Sequence, residues 1–318
     1  MSIAISAENK TGHRDRSALR RAAPRRRCFR AAAGVIALLG LVGDAGFLAG
    51  CGGARQVYRP APLEREIELN RKATTAFERG QHEKALAGYR EALQISRAIE
   101  HVDGIAANLL DLAAVYRVMG DGEKAALAAD EILTGGQLSF SPVQRSAAAY
   151  LRALLFMDQN ALADASRLAA RARALCRESA CGNEGRIVNL QARIAFLGGD
   201  RVAALAAALE ALALNREVKA DEETANSLRI AADVHSVLGE LAKAQEGYAE
   251  ALILDKRLGL AAKIRLDLLR LGDVAAGQGR GEDARVYYRR ALDASRGAAD
   301  EPGIAEAVER IQGLEPSR

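Results

Sequence analysis

The chain has 318 residues, of which 49% are apolar, 27% charged and only 4% aromatic, with six prolines and no tryptophan. That mixture excludes disordered, collagen-like and disulfide-dense chains, and the abundance of Ala and Leu predicts a helical protein. The formal charge of +4 misleads, because nine Lys/Arg and only three acids fall in the first 50 residues, leaving 36 basic and 38 acidic side chains in the other 268. The body is near neutral, so its bulk charge gives no reason to expect nucleic acid.

Residues 1–30 are polar and Arg-rich, ending Arg25-Arg26-Arg27-Cys28-Phe29-Arg30, and the mostly apolar stretch 31–50 runs directly into Cys51. A basic segment, an apolar segment and a small-residue cleavage site make the pattern of a secretory signal. Leu48-Ala49-Gly50-Cys51 resembles the lipobox of bacterial lipoproteins. The resemblance implies cleavage of the 1–50 signal peptide before Cys51 and acylation of that residue, with Gly52 pointing to the outer membrane and the periplasmic face. Several acyl chains, each buried methylene contributing about 0.8 kcal/mol, would anchor such a chain stably. A retained membrane helix is the competing reading, weakened by Asp44, since a central Asp costs about 2.5–3.5 kcal/mol on the insertion scale. Arg26-Arg27 also resembles a twin-arginine export signal, and general secretory export stays open beside it. Residues 51–65 contain Gly and Pro without a helical period and read as a flexible tether.

From there the sequence repeats. A Gly recurs at Gly80, Gly120, Gly199, Gly239 and Gly279, with Asn160 in the third copy, at steps of 40, 40, 39, 40 and 40. Five residues after each comes Ala85, Ala125, Ala165, Ala204, Ala244 or Ala284. Seven residues before each lies Ala73, Ala113, Ala153, Ala192, Ala232 or Gly272, and a second Ala column at Ala92, Ala172, Ala211, Ala251 and Ala291 is broken only by Ile132. Two helices per unit follow: the first ends at the Gly, where positive φ closes a helix cheaply, and the second carries the Ala columns. Small residues let the pair approach closely while Tyr89, Tyr248 and Tyr288 fill the wider gap. Ser141-Pro142 reads as an N-cap followed by Pro at the first helical position.

This column pattern resembles the tetratricopeptide repeat (TPR), with six residues more than its basic 34-residue unit, as in the forty-residue TPR subclass. The resemblance implies an all-α fold, an α-solenoid of about six helix hairpins in a right-handed superhelix. The array would cover 66–298, in units of about 66–105, 106–145, 146–184, 185–224, 225–264 and 265–298, and a capping helix would close it at 302–313.

Little in this layout suggests chemistry. In an oxidising periplasm Cys176 and Cys181 would form a local disulfide between the third and fourth units; the other reading is two free thiols at a helix end. No metal or cofactor is expected, since His82, His101 and His235 are scattered over distant units and no nucleophile, zinc-protease or phosphate-loop motif occurs. What remains is the inner wall. Carrying over the groove-facing first-helix positions of TPR domains gives Arg71, Arg117, Arg193, Arg229 and Arg270, with Asn70, Asn189 and Asn226 nearby and Tyr150 and Phe196 as aromatic surfaces. Arg forks can hold carboxylates in bidentate fashion, so a protein or peptide ligand of acidic character would suit the concave groove, with Asp111, Asp233 and Asp273 as acids able to neutralise it. The expected role is a lipid-anchored periplasmic scaffold, not an enzyme, that assists assembly of an envelope complex. The alternatives are a cytoplasmic TPR regulator, if the leader is no signal, and a helical envelope enzyme with carboxylates inside the array.

Overall fold

The computed structural model describes residues 60–314; the leader, Cys51 and the segment up to residue 59 lie outside the described residues. Thirteen helices and no strand occur among the described residues. They pair as antiparallel hairpins: α1 (Ala61–Glu78) with α2 (His82–Ala98), α3 (Val102–Val118) with α4 (Gly122–Thr134), α5 (Pro142–Asp158) with α6 (Leu162–Glu178), α7 (Glu184–Leu197) with α8 (Arg201–Glu217), α9 (Asp221–Val237) with α10 (Leu241–Leu258), and α11 (Ala261–Gly277) with α12 (Gly281–Gly297). A last helix, α13 (Glu301–Gln312), packs on α12. Each helix packs chiefly on its neighbours in sequence, and first helices of successive hairpins also touch, as α7 does α9. This is an α-solenoid.

The recurring Gly does the work expected of it. Gly80, Gly120, Gly199, Gly239 and Gly279 adopt φ of 71–83°, and Asn160 takes their place at 58°. In each case the next residue's N–H returns to a carbonyl five residues back, as Gln81 N does to Ala76 O and Arg280 N to Ala275 O, both at 2.9 Å. That bond satisfies a carbonyl the helix end would otherwise orphan. The second helices end twenty residues later by the same geometry, but here the left-handed residue is Glu100, Ala180, Lys219, Gly259 or Ala299. Only one of these is Gly, which is why the first beat shows in the sequence and the second does not. The six residues beyond the basic unit lie mainly in the helices, most of which have 17 residues.

Small residues set the spacing. Ala85, Ala125, Ala165, Ala204, Ala244 and Ala284 are all fully buried, and Ala73, Ala113, Ala153, Ala192 and Ala232 nearly so. At Gly272 even a methyl group would not fit, because a β-carbon there would lie within 2.9 Å of three ring atoms of the buried Tyr288. The tyrosines also make a registered bond. Tyr248 donates to Asp233 (2.6 Å), Tyr288 donates to Asp273 (2.9 Å), and the hydroxyls of Tyr89 and Thr74 lie 3.0 Å apart, always fifteen residues away on the partner helix.

Two sets of boundaries differ from those expected. Helix α1 begins at Ala61, so 61–65 is helix and not tether; Pro62 is accommodated because the first turn needs no N–H from it. The junctions between hairpins fall a few residues before the expected cuts, since 105/106, 145/146, 224/225 and 264/265 lie inside α3, α5, α9 and α11. Pro142 opens α5 behind the Ser141 cap, as expected, and Pro302 sits in the first turn of α13. The departure from the forty-residue beat is α4, which stops after 13 residues and is followed by Gly135 and Gly136 at positive φ. Ser141 and Gln144 then close a capping box that restarts the register at α5.

Candidate functional site

A cleft of about 570 Å³ opens on the first-helix side of hairpins three to six, and every residue lining it comes from α5, α7, α9 or α11. The spacing explains this. Tyr150 and Leu154 on α5, Asn189, Arg193 and Phe196 on α7, Asn226, Ile230 and Asp233 on α9, and Lys263, Leu266 and Arg270 on α11 each recur at three or four residues, so each set forms one helical face. Stacking the first helices side by side turns four faces into one wall.

Seven of the ten residues expected in a groove line this cleft: Tyr150, Asn189, Arg193, Phe196, Asn226, Arg229 and Arg270. The other three do not. Asn70 and Arg71 lie on α1, where Arg71 is paired with Glu68 (2.8 Å), and Arg117 on α3 grips Asp158 through two bonds of 2.6 and 3.0 Å. Sequence reasoning missed Arg186, Glu222, Glu223 and Lys263, which continue the same faces by one turn towards the helix N-termini. Stepping back three or four residues from Asn189, Asn226 and Leu266 would have found them.

The charges in the wall are mostly committed to one another. The Arg186 guanidinium lies over the Tyr150 ring at 4.7 Å, with Nε 3.5 Å from Glu223. Burial works against its charge, but the Tyr150 hydroxyl and the nearby glutamates raise its pKa above the usual value. Lys263 donates to Glu222 at 2.8 Å and to Asn226 at 3.2 Å. Arg270 approaches Asp233 (3.5 Å) and Asp273 (3.9 Å), so two of the three acids expected to neutralise the wall do so. The third, Asp111, lies on α3, where burial raises its pKa to about 6.

Arg229 corrects the expectation most sharply. It is only 7% exposed, and its guanidinium points inward: Nε donates to Asp267 at 2.7 Å, Nη2 to Asp255, and Nη1 to Asn226 at 2.9 Å. Both aspartates are fully buried. Burial opposes the charge on Arg229, but the Asp267 and Asp255 carboxylates outweigh it and raise its pKa. Asn189 is likewise drawn inward, donating to Glu223 and accepting from Ser227 at 2.7 Å. The polar groups of these two residues are spent on bonds within the array. That leaves Arg193 as an exposed cleft cation with no ion-pair partner among the described residues. Beside it lie Leu190, Phe196 and Leu197, with Leu154 across the cleft.

Cys176 and Cys181 are joined by a disulfide, their Cα atoms 4.9 Å apart, which closes the link between α6 and α7. The bond sits at the base of the helix that supplies six of the lining residues. Among the described residues no helix is long and apolar enough to cross a membrane, and no group of His, Cys, Asp and Glu is placed to hold a metal ion.

No family model matches the chain, and no curated protein matches it in sequence. Solved structures do. A STAND protein with a tetratricopeptide repeat sensor from Pyrococcus horikoshii superposes with a TM-score of 0.61 at 18% identity, over 78% of this chain but only 37% of that longer one. A Rap protein complexed with Competence and Sporulation Factor gives 0.58 at 14% identity, covering 80% of this chain and 76% of that one. PilF of Pseudomonas aeruginosa gives 0.51 at 15% identity, over 78% of this chain and 98% of that one. At such identities the likeness concerns fold alone, and the fold is an α-solenoid of TPR-type hairpins.

Proposed function

We propose that this protein is a lipid-anchored scaffold of the periplasmic face of the outer membrane, which holds a protein or peptide partner in the cleft of α5, α7, α9 and α11 and assists assembly of an envelope complex. The observation that carries the binding role is the cleft itself, a continuous wall in which Arg193 has no ion-pair partner among the described residues and stands beside Phe196, Leu190 and Leu197. One cation next to an apolar strip suits an extended segment with a carboxylate close to a bulky apolar side chain. The Rap structure, held with a factor bound, has the same kind of fold and supports reading such a wall as a holding surface. Binding is the proposed role, and no catalysis. The lipobox at Leu48–Cys51 supports the anchor.

Two measurements test this reading. The chain carrying Arg193→Glu and Phe196→Ala, captured from detergent-solubilised envelope, should lose partners that the unaltered chain retains; identical recoveries would sink the groove. Mass spectrometry of the mature N-terminus should show an acylated Cys51, and an unprocessed chain of full mass would reject the anchor and favour a cytoplasmic regulator.

A further inference from the structure

The first hairpin carries a second concavity, unrelated to the cleft above. It measures about 330 Å³ and is lined by Arg71, Lys72 and Thr75 of α1 and by Arg79 at its C-cap, with Gln81 and Lys84 across the turn. All four charged lining residues are basic and exposed. Arg71 and Lys72 share one acid, Glu68, at 2.8 and 3.3 Å, and Arg79 and Lys84 have no ion-pair partner among the described residues. Elsewhere in the array the cations are largely matched: Arg97 meets Glu131, Arg216 meets Glu250 and Arg257 meets Asp221, each within 2.7 Å. One acid against four bases is therefore a local excess on an otherwise near-neutral body.

We infer that this cleft docks the first hairpin on the phosphate groups of an anionic lipid surface. Three features favour that occupant. The guanidinium of Arg79 and the ammonium of Lys84 are free to meet phosphate oxygens, with Thr75 and Gln81 as neutral polar neighbours. No aromatic side chain lines the cleft, so bases of a nucleic acid would find nothing to stack on. And α1 is the first described helix after Cys51: ten residues of chain, 51–60, span at most about 35 Å when fully extended, which would keep an anchored hairpin within reach of the headgroups. Juxtamembrane Lys and Arg gain attraction from an anionic surface and lose it within a Debye length. The inference leans on the anchored reading for its biological sense, but not for its test.

The chain has no tryptophan, so a single introduced one reports its own surroundings. In the full chain, Gln81→Trp should shift to the blue and be quenched by phosphatidylglycerol vesicles carrying a headgroup-depth quencher, and should not respond to phosphatidylcholine vesicles. Val286→Trp, on the exposed face of α12, should stay unchanged, which separates contact at the cleft from adsorption through the basic leader. Adding Arg79→Glu and Lys84→Glu to the Gln81→Trp chain should weaken the signal at least tenfold in lipid concentration, while Arg79→Lys with Lys84→Arg should preserve it. The inference is overturned if Gln81→Trp responds equally to both vesicle types, if Val286→Trp responds in parallel, or if soluble glycerol phosphate saturates the response while vesicles give none, which would make the cleft a small-anion site. Whether Cys51 is acylated is read separately by mass, so the two ideas can fail independently.

Discussion

Two seams of the array, forty residues apart, solve the same packing problem with different chemistry. Between the fourth and fifth hairpins Asn189, Asn215 and Ser227 converge, with Asn215 Nδ2 donating to Ser227 at 3.1 Å and Ser227 donating to Asn189 at 2.7 Å. Between the fifth and sixth, the three positions in the same register hold Arg229, Asp255 and Asp267. Every member of both sets is buried. The neutral set is satisfied by hydrogen bonds among its members and to Glu223, with no ion pair between its members. The charged set places two carboxylates on one guanidinium and leaves Asp255 Oδ1 without a donor. A buried ion cluster is no more stable than a well-bonded neutral one, but it fails far worse when one member is removed.

The largest expected effect follows directly. Arg229→Ala strands two carboxylates in the interior and should destabilise the fifth and sixth hairpins by about 3–5 kcal/mol. Asn189→Ala in the neutral seam should lose only about 1 kcal/mol, because Ser227 retains the Glu223 carbonyl as an acceptor at 2.9 Å. Hydrogen exchange of α9 to α11 against α7 to α9 would measure both, since stability in a stacked array is local. Equal losses at the two seams would remove the distinction. Transplanting the neutral set, Arg229→Asn with Asp255→Asn and Asp267→Ser, sharpens the test: it should come within about 1–2 kcal/mol of the unaltered chain although it changes three buried residues.

The charged seam should also respond to pH where the neutral one does not. Burial, resisted by Arg229 and reinforced by Asp255, raises Asp267 from 3.8 to about 7. The folded seam therefore holds a proton that the unfolded chain releases near pH 4. Its contribution to stability is full below that point and is lost as pH climbs through 7. Thermal melts should show the array less stable at pH 8 than at pH 5, and Asp267→Asn should flatten that difference. Ser227→Ala should leave it intact; a slope unchanged by Asp267→Asn would place the titration elsewhere, with Asp111 the next candidate.

One seam earlier, the third and fourth hairpins meet with neither kind of polar set. Cys176 takes the position of Asn215 and is tied to Cys181. Closing so short a loop contributes about 2 kcal/mol in the chain-entropy model. Reduction should lower the stability of the α6–α7 link by about that much and leave the two polar seams alone.

How much of this the sequence shows depends on what each position has to do. The first turn was legible because Gly or Asn holds its left-handed position in all six hairpins, whereas the second turn meets the same geometry with Glu100, Ala180, Lys219, Gly259 and Ala299. The wall of the cleft was legible through the TPR resemblance, whose groove-facing first-helix positions carried over. Arg229 and Asn189 were misplaced for one reason. Their column borders both the cleft and the seam, and which way such a side chain turns depends on residues about 26 and 38 positions away. A search for polar residues recurring forty apart, pairing Asn189 with Arg229, Asn215 with Asp255 and Ser227 with Asp267, would have exposed both triads. The basic concavity on α1 was hidden because Arg71 looked like a member of the groove column, and only the fold shows that the cleft begins two hairpins later.

The smallest effect concerns how the two seams are closed. The neutral one turns through Lys219 at φ 56°, the charged one through Gly259, forty residues on, at 71°. A left-handed non-glycine residue costs about 1–2 kcal/mol, and nothing within 4 Å of a β-carbon at Gly259 adds a steric penalty. Lys219→Gly should therefore relieve that strain, less the roughly 0.4–1 kcal/mol that glycine's unfolded freedom takes back, for a net gain of a few tenths to about 1 kcal/mol. Gly259→Lys should lose a similar amount. Measured as a pair by denaturant midpoints, the two substitutions should be opposite in sign and similar in size. A stabilising Gly259→Lys would mean that the α10–α11 turn draws something from a side chain there that backbone geometry does not show.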